Sequence, residues 1–367
     1  MTVPQRSIVI VGAGSAGLAC ALACAAAGAR VVVFDSLPVA RSCAAHVDVC
    51  PSLLRDLSRL GVAQDFVRRG FVYNGFSLVD EEGAEALRVP TPRLAGDQFP
   101  PALGISHDDF LSVLEAAANS AGAEIRRGTH VQRIDARIGT VLTDRGEWVQ
   151  SDLVVLAPGA GSPLVKSVFG APVTGSPRQA WWHTSIARPE GVDRPVWMAG
   201  RSGRHLLVVP ISMSRAGLAV RAEAAPTGGS IELAATLYEW GGFARRVASA
   251  IDPAMPLALR EVTGALLDTP WYRDAVLCAG ASAHAIAPPF GQSAAQAVED
   301  GVVLGELVQA GLDRPALLQR FMERRGERVA QIHALTSRAA RWMSRPDPAA
   351  DLMALGQQLH SLVAEPA

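Results

Sequence analysis

Short apolar runs and one longer apolar segment alternate over the first 35 residues. The β-branched run at 8–11 predicts a buried strand, and the run at 31–34 predicts a second one. Between them, residues 15–27 are rich in Ala, Leu and Cys, which predicts a helix that ends at Gly28. The order strand, helix, strand is that of a βαβ unit with a parallel sheet.

The hydrophobic pattern after residue 35 predicts a mixture of helices and strands. Leu53, Leu54 and Leu57 fall on one helical face, and residues 71–90 alternate about a turn as a β-hairpin does. A helix is predicted over 106–122, capped by Ser106 or His107. Strands within 124–156 are expected to return to the first sheet, and an antiparallel sheet is expected over 178–269. From 275 onward the pattern predicts a strand, a loop and a long helix that begins near Ser293.

This order of elements predicts an α/β fold in which the chain leaves its first sheet and later returns to it. We expect a Rossmann-like domain with a parallel sheet, interleaved with an antiparallel β-sheet domain for the substrate and followed by C-terminal helices. The predicted boundaries place 1–70, 104–170 and 274–345 in the first domain, 71–103 and 171–273 in the second, and 346–367 in a helical tail.

The charge balance argues against two classes of partner. Lys plus Arg number 34 and Asp plus Glu number 35, so the net charge of −1 creates no field that would attract nucleic acid or an anionic membrane. The arginines of the predicted last long helix, including Arg325 and Arg328, are interleaved with Glu323 and Glu327 at helical spacing. This pattern predicts a solvated helix face.

The cysteines and the apolar N-terminal segment indicate a cytoplasmic protein. The five cysteines form no CxxC pair, and Cys20 and Cys24 lie one helical turn apart in an apolar segment, which predicts reduced core thiols. Four glycines and Arg30 interrupt the apolar run over 8–34. The run therefore predicts a buried strand, helix and strand instead of a signal peptide or a membrane span.

Three glycines lie between the predicted first strand and helix with the spacing G-x-G-x-x-G. Gly12 permits a tight turn, Gly14 lets a pyrophosphate approach the backbone, and Gly17 lets the helix pack closely. Asp35 follows 23 residues after Gly12, at the end of the second strand, where a carboxylate accepts hydrogen bonds from a ribose. The combination predicts a dinucleotide site, and by itself it leaves both FAD and NAD open.

Three further segments resemble the single-component flavoprotein aromatic hydroxylases, the group that includes para-hydroxybenzoate and salicylate hydroxylase. The first segment is GASAH at 280–284, followed by PPFGQS at 288–293 and by Glu299-Asp300. In the second, Ala157, Gly159 and Ser162 fit the family's middle motif. The third is the C-terminal LLQRFMERRGERV. The chain departs from the family pattern where Pro158 and Ala281 replace aspartates, His107 stands where Arg is common, and Ser293 replaces Gly.

The resemblance implies an FAD site that NAD(P)H reduces, followed by O2 activation as a flavin C4a-hydroperoxide that hydroxylates a small aromatic substrate. Backbone N–H groups at the start of the helix near Ser293 would face the flavin pyrimidine carbonyls. The residues expected at FAD are Gly12, Gly14, Ser15, Ala16, Gly17, Asp35, Ser36, Arg41, His107, Val131, Gly280, Ala281, Pro288, Gly291, Gln292, Ser293 and Ala294. Two alternatives are a flavoprotein of other redox chemistry and a degenerate family member that binds a ligand without turnover.

Asp48 is our candidate for the base that deprotonates the aromatic substrate, with His46 as second choice. In an extended segment AAHVDVCP, alternation places His46, Asp48 and Cys50 on one face, where we expect the flavin to pass. The alternative is structural: Asp48 would cap the helix that starts near Pro51, and His46 would be a surface loop residue.

The substrate pocket is expected along the predicted antiparallel sheet. Alternation puts Trp181 and His183 on one face and Trp182 on the other, and the remaining candidates are His205, Pro289 and Phe290. Packing in the sheet core is the alternative role for the tryptophans and for His205. His284 is interpreted as a loop residue bonded to the backbone, and no second His or Cys stands at metal-ligand spacing from it. We expect no metal, and a monomer or homodimer.

Overall fold

The computed structural model describes residues 5–39, 45–200, 203–222, 229–288, 290–345, 347 and 350–367. The strands are β1 Ser7–Val11, β2 Arg30–Asp35, β3 His46–Val49, β4 Phe71–Tyr73, β5 Phe76–Val79, β6 Glu85–Val89, β7 Ala102–Ser106, β8 Glu124–Arg127, β9 Val131–Asp135, β10 Thr140–Thr143, β11 Trp148–Gln150, β12 Leu153–Leu156, β13 Val173–Thr174, β14 Gln179–Ala187, β15 Val196–Ala199, β16 His205–Pro210, β17 Arg215–Ala222, β18 Ala258–Val262, β19 Ala265–Leu266, β20 Tyr272–Arg273, β21 Val276–Cys278 and β22 His284–Ala285. The helices are α1 Ser15–Ala26, α2 Pro51–Arg59, α3 Ala63–Arg69, α4 His107–Ser120, α5 Pro163–Phe169, α6 Gly229–Trp240, α7 Gly242–Ala248, α8 Gln292–Gln309, α9 Arg314–Ser344 and α10 Leu352–Ala364, with a 3-10 turn at Gly280–Ser282.

A six-stranded sheet in the order β20-β21-β12-β1-β2-β8 forms the centre of the fold. Its neighbours run parallel except for β20 and β21. The strands β1 and β12 are buried along nearly their whole length because helices cover both faces of a parallel sheet. The predicted βαβ unit and the return of the chain through β12 and β21 are confirmed.

Small residues set the distance between the two helices that flank the first turn. A Cβ on Gly301 of α8 would lie 2.8 Å from the Ala19 Cβ of α1, and a Cβ on Gly305 would lie 2.6 Å from the Ala23 Cβ. Real Cβ contacts are longer than this, so both glycines are required for the close packing of α1 on α8. The start of α8 is thereby held near the start of α1.

A seven-stranded sheet in the order β18-β14-β17-β16-β15-β5-β6 forms the second layer. It is antiparallel except for the parallel pair β15 and β5, and the predicted antiparallel sheet is confirmed. One face packs with Trp182 and Ile186 against α6 and α7. Trp181 and Ala219 belong to the opposite face, which confirms the predicted alternation of Trp181 and Trp182.

In the described ranges, three smaller sheets accompany these two layers, β3-β7-β4, β11-β10-β9 and β13-β19-β22. The sheet β3-β7-β4 brings His46–Val49 beside Ala102–Ser106. The strands β9, β10 and β11 form their own antiparallel sheet, so the prediction that every strand of 124–156 returns to the first sheet holds for β8 and β12 alone. Ser106 caps α4, since its hydroxyl accepts a hydrogen bond from the Asp109 N–H at 3.0 Å.

Candidate functional site

The glycine turn between β1 and α1 leaves open space beside the helix start. A Cβ on Gly12 would lie 2.4 Å from the Ala157 carbonyl oxygen, and one on Gly17 would lie 1.8 Å from the Gly12 carbonyl oxygen. Protein atoms therefore require glycine at both positions. A Cβ on Gly14 would meet nothing within 4 Å, so the space next to this N-terminal helix turn, with its free N–H groups, can hold a pyrophosphate.

Asp35 closes the other side of this turn. Its Oδ2 accepts a hydrogen bond from the Ala13 N–H at 2.7 Å, and its Oδ1 accepts one from the Leu37 N–H at 2.9 Å. A cavity of about 490 Å³ extends from here along the end of β2. The lining residues include Gly12, Asp35, Ser36, Val131 and Pro158, so three expected cofactor residues besides Gly12 share one cavity large enough for an adenosine. Arg41 lies outside the described residues.

Ser282 connects the two motifs that lack the family's aspartates. The Gly159 N–H donates to the Ser282 hydroxyl at 2.8 Å, and that hydroxyl lies 3.3 Å from the Gly159 carbonyl oxygen. Gly280 has a φ of +60°, and a Cβ there would lie 2.4 Å from the Ala16 Cβ. The loop that carries Ala281 is thus fixed against both the middle motif and the first helix without a carboxylate at position 158 or 281.

The start of α8 is built to present backbone N–H groups. Gly291 is its N-cap with a φ of +64°, and no acidic side chain occupies the first turn. Gly291 and Ser293 are exposed, Ala294 is half-buried and Gln292 is buried. The Gln292 amide donates to the Phe290 carbonyl at 3.3 Å and contacts Cys50 Sγ at 3.8 Å. These free N–H groups fit a group that gains negative charge, as the flavin pyrimidine does on reduction.

A buried ion cluster lies directly behind this helix start. Arg325, with an exposure of 0%, donates from Nε to Asp300 Oδ1 at 2.7 Å and pairs with Glu299. Asp300 Oδ2 accepts the Gly280 N–H at 2.7 Å and lies 2.7 Å from His284 Nε2. Although burial alone would raise it, the charges of His284 and Arg325 lower the pKa of Asp300 to about 2.

Two predictions from the sequence are wrong at this cluster. Arg325 and Arg328 do not form a solvated face, because Arg325 is buried and Arg328 pairs with Glu299 at 3.1 Å. His284 binds the carboxylate of Asp300 instead of the backbone. Helical periodicity places these arginines together but gives no sign that two acids of another helix face them.

Asp48 lies between the cofactor motifs and the large sheet. A Cβ on Gly291 would be 3.9 Å from Asp48 Oδ2, which puts this carboxylate beside the start of α8. The Tyr73 hydroxyl donates to Asp48 Oδ1 at 2.5 Å. Burial raises the pKa of Asp48, and the Tyr73 hydrogen bond opposes that rise. Asp48 does not cap α2, whose N-cap is Cys50. The contact of Tyr73 with Asp48 was not predicted from the sequence, although Tyr73 lies on the same strand face as Phe71.

His46 lies against Gly217 of β17, where a Cβ would be 2.3 Å from His46 Nδ1. The rings of His46 and His183 are 6.0 Å apart. The Nδ1 atoms of His46, His107 and His183 are buried and, within the described part of the chain, lack a hydrogen-bond partner. Burial, with the positive charge of Arg260, lowers the pKa of His46 and His107 to about 4. The structure therefore groups His107 with the substrate-pocket candidate His183.

The other pocket candidates pack near the C-terminal helices. Trp181 is 6% exposed, contacts Met343 at the end of α9, and donates from Nε1 to Gln179 Oε1 at 3.3 Å. His205 is also buried, with its ring 6.1 Å from that of Trp197. A Cβ on Gly356 of α10 would lie 3.6 Å from Phe290. Pro289 lies outside the described residues, and Pro288 is half-buried.

Comparison with known proteins agrees with this geometry. The FAD binding domain family matches residues 5–336. The chain is 26% identical over 359 residues to the FAD-dependent monooxygenase YetM of Bacillus subtilis (strain 168), which covers 95% of this chain and 96% of that protein. It is 24% identical over 370 residues to 6-hydroxynicotinate 3-monooxygenase of Bordetella bronchiseptica, which covers 90% of each. Klebsiella pneumoniae HpxO in complex with FAD and uric acid has a TM-score of 0.80 at 21% identity, over 98% of this chain and 93% of that one.

The fold and the glycine turn define a flavoprotein of the α/β type, and the chain belongs to the FAD binding domain family. It is an FAD-dependent monooxygenase of the aromatic hydroxylase kind. None of the helices in the described ranges is both long enough and apolar enough to cross a bilayer. Among the same residues, no group of three or more His, Cys, Asp or Glu side chains is arranged to hold a metal ion.

Proposed function

We propose that this enzyme hydroxylates a small phenolic or heteroaromatic ring, with NAD(P)H as reductant and O2 as oxidant. The observation that carries the proposal is the position of Asp48, hydrogen-bonded to Tyr73 and adjacent to Gly291 at the start of α8. A related protein is named for a reaction on 6-hydroxynicotinate, a hydroxylated heteroaromatic acid, which supports the same class of substrate here.

FAD fits the residues present. The open space at Gly14 suits the pyrophosphate, the cavity at Asp35 and Val131 suits the adenosine, and the exposed turn at Gly291 suits the pyrimidine ring. When bound, FAD would transfer two electrons from NAD(P)H to O2, so that one oxygen atom enters the ring and the other leaves as water. The protein has to orient the ring, exclude water and accept a proton.

We assign the role of proton acceptor to Asp48. A phenolic ring becomes more nucleophilic when its hydroxyl proton is removed, and a base acts best when its pKa lies near the working pH. Burial moves the pKa of Asp48 upward, toward that range. His46 remains the second candidate, because its pKa of about 4 leaves the imidazole neutral at physiological pH and able to accept a proton.

The missing aspartates predict a weaker FAD site. An unpaired ribityl hydroxyl at Ala281 would cost about 1–3 kcal/mol, or roughly ten- to hundredfold in affinity. Ser282 and Asp300 hold the two loops in place through Gly159 and Gly280, which supports retention of the cofactor.

The buried, unbridged thiols Cys20, Cys24 and Cys278 support a cytoplasmic location. That the protein is a monomer or homodimer stays a prediction.

The first test is FAD titration of purified protein, followed by NAD(P)H oxidation with and without phenols and hydroxypyridines. We expect one flavin per chain, aromatic-stimulated oxidation, and one 18O atom from 18O2 in the product. Flavin reduced directly by the aromatic compound would indicate other redox chemistry. Protein that binds the aromatic compound but neither FAD nor NAD(P)H would indicate a family member without turnover.

The second test replaces Asp48 with Asn in the FAD-loaded enzyme. We expect the product yield per NAD(P)H to fall at least tenfold while the affinity for FAD is unchanged, since loss of a general base costs about 10²–10⁴ in rate. Asp65→Asn, on the exposed surface of α3, is the matched control. Unchanged hydroxylation by Asp48→Asn would transfer the role to His46 or to another group.

A further inference from the structure

Phe290 has a backbone conformation that bulky residues rarely adopt. Its φ is +81°, in the left-handed region, and it directly precedes Gly291, the N-cap of α8, whose φ is +64°. A non-glycine residue keeps such a conformation only where its surroundings hold it there, and residues of this kind cluster at ligand sites. The contacts that hold Phe290 therefore indicate what its conformation is for.

A chain of three hydrogen bonds leads from the buried ion cluster to the Phe290 carbonyl. Arg325 Nη2 donates to Gln296 Oε1 at 2.8 Å, and Gln296 Nε2 donates to Gln292 Oε1 at 3.1 Å. Gln292 Nε2 then donates to the Phe290 carbonyl oxygen at 3.3 Å. Both glutamines are buried, with 1% of Gln296 and 5% of Gln292 exposed. Because a guanidinium can only donate and a carbonyl can only accept, the two ends of the chain fix the orientation of both amides.

The ring of Phe290 contacts the helix α10. A Cβ on Gly356 would lie 3.6 Å from Phe290 Cε1, so this position of the helix is in van der Waals contact with the ring. Arg55 and Arg328, which both pair with Glu299, donate to backbone carbonyls in the last turn of α10 at 2.6–3.0 Å. The ion cluster thus supports the Phe290 carbonyl through two glutamines and the Phe290 ring through α10.

The direction of the Phe290 carbonyl determines the direction of the Gly291 N–H. The two groups belong to one planar trans peptide, in which they point in opposite directions. Since the carbonyl faces the buried Gln292 amide, the N–H of the exposed Gly291 points away from it, on the side that suits the flavin pyrimidine. A rotated peptide would present its carbonyl oxygen there and repel the negative charge of reduced flavin.

We propose that Gln296, acting through Gln292, is a positioning residue that keeps the Gly291 N–H directed at the flavin and thereby raises the reduction potential of bound FAD. Helix α10 assists by holding the Phe290 ring. The proposal rests on the proposed function, since that function has the pyrimidine ring at the start of α8. It assigns a role in cofactor chemistry to a residue that lies one helical turn behind Gln292.

The test measures the reduction potential of FAD bound to Gln296→Met by equilibration with a reference dye. Methionine is similar in size but breaks the hydrogen-bond chain, so the Phe290–Gly291 peptide can rotate. Reduced FAD should lose about ten- to hundredfold in affinity, the usual loss for a hydrogen bond to a charged group, while oxidised FAD should change by less than about threefold. For a two-electron couple a ten- to hundredfold change lowers the potential by about 30–60 mV. Gln319→Met, at an exposed position of α9, is the matched control and should leave the potential unchanged.

An unchanged potential in folded Gln296→Met would overturn the proposal, and so would equal losses of affinity for oxidised and reduced FAD. If Gln296→Met does not fold, Gly356→Leu decides. Its larger side chain should displace the Phe290 ring and lower the potential, whereas Gly356→Ala fits the 3.6 Å contact and should not; an unchanged potential in Gly356→Leu would then overturn the proposal.

The proposed function can fail separately. A lowered potential in an enzyme that hydroxylates no aromatic compound would support the role of Gln296 while the hydroxylase function fails. Wild-type protein that binds no FAD would overturn both.

Discussion

The Tyr73 hydroxyl donates a hydrogen bond to Asp48 Oδ1 at 2.5 Å across the strand β7, which lies between their two strands. Residue Gly104 of β7 is opposite both Asp48 and Phe71. A Cβ on Gly104 would lie 2.2 Å from the Pro210 carbonyl oxygen, so glycine at this position lets β7 pack closely on β16. The hydrogen bond joins the candidate base to β4, and the next strand along the chain, β5, belongs to the seven-stranded sheet.

Replacement of Tyr73 by Phe should shift the pH profile of hydroxylation. The hydroxyl stabilises the charged form of Asp48 and so lowers its pKa; without it the pKa rises further above its ordinary value. A base works in its deprotonated form, so the acidic limb of kcat/KM should move to higher pH by about one unit, which corresponds to about 1.4 kcal/mol. A lower rate with an unmoved limb would contradict the assignment, and Phe71→Leu is the control on the same strand.

Replacement of Gly14 by Ala should abolish flavin binding without unfolding the protein. Gly14 has a φ of −84° and open space around its Cβ position, so alanine is tolerated by the backbone but fills the space that suits the pyrophosphate. Circular dichroism should be unchanged and the protein colourless. Gly17→Ala is the contrasting variant, because its Cβ would collide with the Gly12 carbonyl and the loss should appear in stability itself.

Replacement of Ala281 by Asp should tighten FAD binding. Ala281 is half-buried in the turn Gly280–Ser282, where the family's aspartate would accept a hydrogen bond from a ribityl hydroxyl. We expect the dissociation constant to fall about tenfold or more, equivalent to about 1.4 kcal/mol. Fluorescence quenching of added FAD measures it, and Ala116→Asp on the exposed side of α4 controls for the added charge. An unchanged constant would place the ribityl chain elsewhere.

Replacement of Arg325 by Met should destabilise the fold strongly. It leaves Asp300 and Glu299 buried with one charged partner fewer, and breaking a buried pair costs about 3–5 kcal/mol. The free energy of unfolding in urea measures the loss. Arg320→Met, at an exposed pair with Glu323, should change it by less than about 1 kcal/mol. Similar losses of unfolding free energy for both variants would show that the buried cluster stabilises the fold no more than an exposed ion pair does.

Local patterns in the chain were sufficient for the fold class and the cofactor class. The β-branched runs, the Ala-rich helix and the glycine spacing each depend on residues near one another in sequence, and they predicted β1, α1, β2 and the start of α8 to within one or two residues. The alternation of Trp181, Trp182 and His183 predicted the two faces of the large sheet correctly for the same reason. The sequence by itself therefore determined the scaffold and its cofactor class.

Only the tertiary structure decides which groups the charged and polar side chains contact. Arg325 and Glu299 are 26 residues apart on different helices, and Asp48 and Tyr73 are 25 apart on different strands. A periodic pattern states which face a side chain occupies, but the element that covers that face depends on how the whole chain packs. For the same reason His46 and His183, which come from separate segments, have their rings 6.0 Å apart only when the large sheet packs against β3.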